Sequence, residues 1–203
     1  LMRLEDFKKV EKELYRTMSY GDVILISLRL PYHFGGTYYE YPSSDFVFIR
    51  EDGEFGSQRE YFDDWIESVN NLANFARRKK SIVIIHTPTP EWEEEKNKSC
   101  SLSGLQWFNK WKPRNCKIDS TFFTDENKGK FKHIFYEIQK LAKSNANIHL
   151  LDAYSILCPG KICKYGEKGF DFYRGDDHIS YEAAIKLLSP QITDIINKNA
   201  IGN

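Results

Sequence analysis

Apolar residues recur at helical spacing from Leu4 to Met18, at Leu4, Phe7, Val10, Leu14 and Met18, and predict an amphipathic helix. Gly21-Asp22 stops that pattern and launches the continuous run Val23-Ile-Leu-Ile-Ser-Leu28. A run of this kind is what a strand buried on both faces of a parallel sheet requires. Pro31 to Pro42 reads as a loop rich in Gly and Tyr, and Phe46 to Ile49 as a short extra strand. A second amphipathic helix is predicted from Arg59 to Ala76, with Tyr61, Trp65, Val69, Leu72 and Phe75 along its buried stripe. Arg77, Arg78, Lys79 and Lys80 close it, where cations favour the last carbonyls.

Ser81-Ile-Val-Ile-Ile-His86 repeats the buried-strand pattern and stops at Thr87-Pro-Thr-Pro90, because proline cannot continue the ladder. The acidic run Glu91 to Glu95 that follows reads as a solvated loop face. A third helix is expected from Lys130 to Ala142, and a third strand from Ile148 to Leu151, closed by Asp152. Gly166 to Tyr173 reads as a small hairpin. Ser180 caps a last helix running to about Asn197, with Glu182 and Ala183 in its first turn. Strand and helix thus alternate, which predicts an α/β domain of three layers around a parallel sheet, with chemistry at the carboxyl ends of the strands.

Composition narrows this picture. The 203 residues fit one domain, 1–203, and 41% apolar content supports a packed core. Lys plus Arg and Asp plus Glu both number 29, so no excess of positive charge points to nucleic acid. No apolar run approaches the ~20 residues of a membrane helix. The chain opens at Leu1 directly into a charged amphipathic segment, as expected of a fragment.

Four cysteines change the picture more. Cys100 and Cys116 flank a polar stretch, and Cys158 and Cys163 bracket Pro-Gly-Lys-Ile. Local pairing, Cys100–Cys116 and Cys158–Cys163, fits two separate loops that need staples, and it implies an oxidising compartment. A zinc site of four thiolates is the rival, although neither pair has the tight spacing such sites repeat.

Among the histidines, His178 lies in the polar segment Tyr173-Arg-Gly-Asp-Asp-His-Ile-Ser180, with two carboxylates just upstream. A base oriented by a carboxylate at the start of a helix is one half of a nucleophilic triad; a surface turn is the bland alternative. His86 ends a strand at the productive edge of the sheet, where it lines a pocket or simply packs. His33 sits at the Gly-rich loop. No serine declares itself: the Gly-x-Ser-x-Gly elbow is missing, and Gly21-Asp22-Val23 has Val where a Gly-Asp-Ser signature has its nucleophile. A binding module therefore competes with an enzyme on these grounds.

Leu151-Asp-Ala-Tyr-Ser-Ile-Leu-Cys-Pro-Gly-Lys-Ile-Cys163, then Phe172-Tyr-Arg-Gly-Asp-Asp-His-Ile-Ser180 and Ala183 to Pro190, resemble the end of the SGNH (GDSL-like) hydrolase domain fused to acyltransferase-3 membrane proteins. Asp22 to Arg29, His86-Thr-Pro-Thr-Pro-Glu91 and the Cys100 to Cys116 loop resemble its preceding segments, in order. The resemblance implies a flavodoxin-like α/β/α fold whose first strand, carrying the Gly-Asp-Ser nucleophile block, lies outside this chain. It implies an O-acyltransferase or esterase, with a carbohydrate or glycolipid acceptor and an acyl group, acetyl in the expected case, supplied by a fused membrane domain. It places the domain on the periplasmic or extracellular face, tethered to the membrane. The Ser-His chemistry asks for no cofactor and no metal.

His178 is then the catalytic base. The family's acid lies three residues before the histidine, where this chain has Gly175, so Asp176 is expected to orient His178. A Ser-His dyad and an impaired site are the alternatives. Gly35, Gly36, His86 and Tyr173 are the expected substrate-binding residues, and Tyr38, Tyr39, Trp92, Trp107, Trp111 and Tyr173 the candidate stacking platforms for a glycan. A catalytically inactive glycan-binding module and a freestanding secreted lipase-like enzyme are the competing functions.

Overall fold

The computed structural model describes residues 4–34, 48–50, 52–92, 100, 116–119, 132–167, 170–174 and 178–200. The three buried-type runs form one parallel sheet, with β1 (Val23–Ile26), β2 (Ile82–His86) and β3 (Ile148–Leu151) side by side in that order. The register runs Val23↔Ile82 to Ile26↔Ile85, and Val83↔Ile148 to His86↔Leu151. Each crossover carries a helix, α2 (Gln58–Arg78) between β1 and β2 and α3 (Lys132–Ser144) between β2 and β3. Successive parallel crossovers of one hand place their helices on one face, and both helices share a core with Ile24, Ile26, Val83, Ile85 and Ile148. The amphipathic helix α1 (Leu4–Thr17) joins this layer through Leu14 and Tyr15.

Helix α2 starts on a reciprocal cap: Ser57 Oγ accepts from Glu60 N at 3.1 Å, and the Glu60 carboxylate accepts from Ser57 N at 2.7 Å. Its buried stripe is the one the sequence spacing marks, with Phe75 only partly covered. The opposite face of the sheet, through Ile82, Ile84 and Leu151, packs against the C-terminal helical run. That run begins as one turn, Tyr181–Ala183, winds as a π-helix over Ala184–Leu188, and continues as α4 (Ser189–Ala200). The sheet is therefore flanked by helices on both faces.

Strand β1 departs from the expectation of burial on both faces. It stops at Ile26, two residues short of the apolar run, and Val23 and Leu25 are 39% and 46% exposed. The cause is position: among the described residues β1 is an edge strand paired only to β2, and the C-terminal run packs over β2 and β3. A groove of about 1090 Å³ lies beside β1, lined by residues of α1 and α2 together with Ile24, Ile26 and Leu28.

Beyond β3, small strands replace the single hairpin expected there. Gly166–Glu167 pairs with Phe170–Asp171, and Tyr173–Arg174 pairs with His178–Ile179, both antiparallel. Gly166 is needed by close approach, since a Cβ there would sit 2.6 Å from the Phe170 carbonyl oxygen. The extra strand expected at Phe46 to Ile49 is seen at Phe48–Ile49, paired with Phe55–Gly56. Among the described residues no helix is long and apolar enough to cross a membrane.

Candidate functional site

A cavity of about 520 Å³ opens at the carboxyl edge of the sheet. Its walls are the exits of β1 and β2, from Ser27 to Pro31 and from His86 to Glu91, with Leu151, the His178–Ile179 strand, and Ala184, Leu188 and Ile192 of the C-terminal run. Parallel strands end here together, so side chains far apart in sequence converge. Two expected site residues, His178 and His86, meet in this one cavity.

His178 is held from three directions. It pairs with Arg174 across the short antiparallel ladder, and Ile179 pairs with Tyr173. Ser180 then locks the turn: its N–H donates to Phe172 O at 2.9 Å, its hydroxyl donates to Asp171 O at 2.6 Å, and the same hydroxyl accepts from Ala183 N at 3.1 Å. One serine thus caps the last helix and ties it to the strand before the histidine. The π-helix follows at once and contributes Ala184 and Leu188 to the cavity wall.

Beneath this segment lies an aromatic cluster. Tyr173 is 2% exposed, with ring centroids 5.8 Å from Trp92 and 5.5 Å from Tyr165. Burial drives the Tyr173 hydroxyl far above its ordinary pKa, so it stays protonated. Trp92 is 1% exposed. Neither ring offers a face to a ligand, and Tyr173 is outside the cavity lining; both support the histidine segment from below. Cys158 and Cys163 belong to the same cluster, bonded to each other, and Cys100 is bonded to Cys116. With all four cysteines in disulfides, the zinc reading falls.

His86 is half-buried at the end of β2, and desolvation lowers its pKa to about 4, so the ring is neutral at neutral pH. The adjoining Thr87 fastens the exits of two strands: its N–H donates to Leu151 O at 3.0 Å, and its hydroxyl accepts from Tyr154 N at 3.4 Å. His33, on the short helix Leu30–Phe34, also has a lowered pKa, through burial and then the Arg29 charge. Gly35, Gly36, Gly175, Asp176 and Asp177 lie outside the described residues, as do Tyr38, Tyr39, Trp107 and Trp111.

Glu91 overturns its reading as part of a solvated acidic face. Its side chain is 5% exposed and accepts from Arg29 Nε at 3.1 Å, across 62 residues of sequence. Both residues line the cavity, and neither is marked in the sequence as a site residue. Local pattern could not reveal the pair, because it exists only once β1 and β2 are neighbours. The proline-rich exit that follows the strand end at His86 and leads to Glu91 was the available signal, and the run of carboxylates behind it masked that signal.

A parallel sheet flanked by helices, with a histidine-bearing cavity at its carboxyl edge, makes the chain an α/β domain whose candidate site lies where parallel strands end. The family model for the SGNH domain (fused to AT3 domains) matches residues 4–194, and the chain belongs to that family, in which AT3 denotes acyltransferase-3. Membership associates it with hydrolase and acyltransferase chemistry. No curated protein matches the chain.

Proposed function

We propose that this chain supplies the histidine half of a Ser-His acyl-transfer site, in an O-acyltransferase or esterase acting on cell-envelope carbohydrate. The observation that carries the reading is His178 lining a cavity at the carboxyl edge of the sheet, near β1, whose outer edge is unpaired among the described residues. A further parallel strand paired to that edge would end next to the same cavity. It would complete a flavodoxin-like sheet and deliver the Gly-Asp-Ser nucleophile, and a helix following it would cover Val23 and Leu25.

The serine oxygen attacks the acyl carbonyl while His178 accepts the hydroxyl proton, forming a tetrahedral oxyanion. Collapse breaks the bond to the first alcohol, which leaves with the proton from the imidazolium, and the acyl group rests on serine. A sugar hydroxyl then attacks, gives its proton to His178, and the serine takes a proton back as the new ester departs. Water as acceptor makes the same cycle an esterase. Asp176 is proposed to orient His178 in place of the family's acid, and Gly35, Gly36 and His86 to contact substrate. The acyl group, acetyl in this reading, comes from a fused membrane acyltransferase-3 domain. The two disulfides support an extracytoplasmic location, since such bonds persist in oxidising compartments.

The test is acetyl-ester turnover by the full-length protein and by His178→Ala, Asp176→Asn and Ser27→Ala. Ser27 is included because it follows β1 and lines the cavity. His178→Ala should lower turnover by about 10²–10⁴-fold, the typical contribution of a general base. Asp176→Asn should lower it too, and Ser27→Ala should retain it. Full activity without His178 would sink the proposal. A Ser27→Ala loss would relocate the nucleophile into this chain. A folded, inactive protein that still binds glycan would favour the binding module.

A further inference from the structure

We propose that Tyr181, with Ile185 one turn further on, is the platform on which the sugar ring of the ester substrate stacks at the mouth of the His178 cavity. The inference rests on the acyl-transfer reading of that cavity and names the residue that receives the carbohydrate.

The C-terminal run gives the cavity one apolar wall, through Ala184, Leu188 and Ile192, which follow one another at steps of four. Residues three and four apart on a helix are neighbours, so Tyr181, three before Ala184, and Ile185, four after Tyr181, form the adjoining row. That row is uncovered, with Tyr181 80% and Ile185 50% exposed. On the other side of the wall residues, Ala183 and Leu187 pack against the aromatic cluster beneath His178. One side of the run is thus anchored, and the opposite side is an open apolar ridge continuous with the cavity wall. Its place relative to the histidine is fixed, because Ser180, between His178 and Tyr181 in sequence, is held by bonds to Phe172, Asp171 and Ala183.

Exposed apolar side chains scattered singly are ordinary, and it is the position of this pair that gives it meaning. A pyranose ring has C–H faces and a hydroxyl perimeter. An aromatic ring matches such a face, and tyrosine offers a large, flat contact at low entropic cost because only two side-chain angles must be fixed. The aromatic residues expected from the sequence as platforms do not serve here: Trp92 and Tyr173 are buried beneath the histidine segment. Tyr20, Phe55 and Tyr136 are also exposed. Tyr20 precedes β1, at the amino edge of the sheet, and neither the strand of Phe55 nor the helix of Tyr136 contributes a residue to the cavity. Tyr181 alone among these rings stands within one helical turn of the cavity wall. An ester whose carbonyl lies at His178 would therefore bring its sugar over this ridge.

The experiment uses the full-length protein. Turnover of an O-acetylated methyl β-glucoside is compared with that of ethyl acetate, which carries the same acyl group and no ring. Tyr181→Ala should raise KM for the glucoside ester roughly three- to tenfold more than KM for ethyl acetate, the scale of one aromatic contact, and should change kcat less than KM. Tyr181→Phe should keep the parent ratio of the two KM values, and Tyr181→Leu should lose it, since leucine supplies apolar area without a ring face. Binding is read separately with His178→Ala, so that bound ester persists, by saturation-transfer NMR on the same glucoside. The signal should be strongest on the hydrogens of one sugar face and should fade when Tyr181→Ala is added. KM values that rise equally for both esters in Tyr181→Ala would overturn the proposal. So would KM values that do not move, which would assign the ridge to a protein or membrane surface, or a Tyr181→Leu variant equal to Tyr181→Phe. A one-faced NMR signal that depends on Tyr181 while His178 proves dispensable for turnover would sink the acyl-transfer reading and leave the platform standing.

Discussion

His86 shows how one residue can couple the site to stability. Its pKa is about 4 in the folded chain, against about 6.5 for an exposed imidazole, and desolvation is the cause. Between these values the unfolded chain binds the proton and the folded chain does not. Stability therefore falls as pH drops from about 6.5 towards 4, by up to about 3 kcal/mol for this group, and levels off below. Replacing His86 with Gln should shrink the loss of urea stability between pH 7 and pH 4.5; an unchanged loss would show that other groups carry it. At this scale the sequence spoke unevenly. The end of a buried strand and an acidic turn before a helix marked His86 and His178 as candidate site residues, and both line the cavity. Arg29 and Glu91 went unmarked because their meaning lies in a contact across 62 residues. Tyr173 was marked by its neighbours but faces inward, since a strand pair turns its ring beneath the histidine rather than beside it.

Elements were more legible than their edges. Helix α2 was expected at Arg59 to Ala76 and spans Gln58–Arg78, and β3 is the expected Ile148–Leu151, because periodicity and terminal signals agree there. The π-wound stretch Ala184–Leu188 was not legible, since apolar spacing does not separate one helical winding from another. The spacing of the second cysteine pair did suggest a local staple, and the structure shows what the staple serves. Cys158–Cys163 closes the turn after the short helix Ala153–Leu157, and Cys163 lies inside the aromatic cluster under His178. Closing so short a loop contributes about 2 kcal/mol through the unfolded chain. Cys158→Ser with Cys163→Ser should thus lower Tm by roughly 4–8 °C for a domain of this size. It should also lower kcat for ester turnover more than it changes KM, because the histidine segment loses its footing while the cavity wall formed by the exits of β1 and β2 does not. Loss of stability with kcat untouched would show that the staple and the histidine are independent.

The largest mismatch between sequence and structure lies at the level of the whole molecule. Val23 to Leu28 has the composition of a strand covered on both faces, yet Val23 and Leu25 are largely exposed and the outer edge of β1 is open among the described residues. Soluble proteins normally blunt such an edge with charge, proline or a bulge, and this one carries only aliphatic side chains. The composition makes sense if the edge is an internal seam, paired in the full-length protein with the further strand proposed above. Amide exchange tests this directly. In the 203-residue chain alone, the β1 amides pointing away from β2 have no sheet partner among the described residues and should exchange at rates close to those of loops. In the full-length protein the same amides should slow by roughly a hundredfold or more, together with shielding of Val23 and Leu25. Equal, fast exchange in both would mean that no strand docks on β1, and the serine would then have to reach His178 by another route.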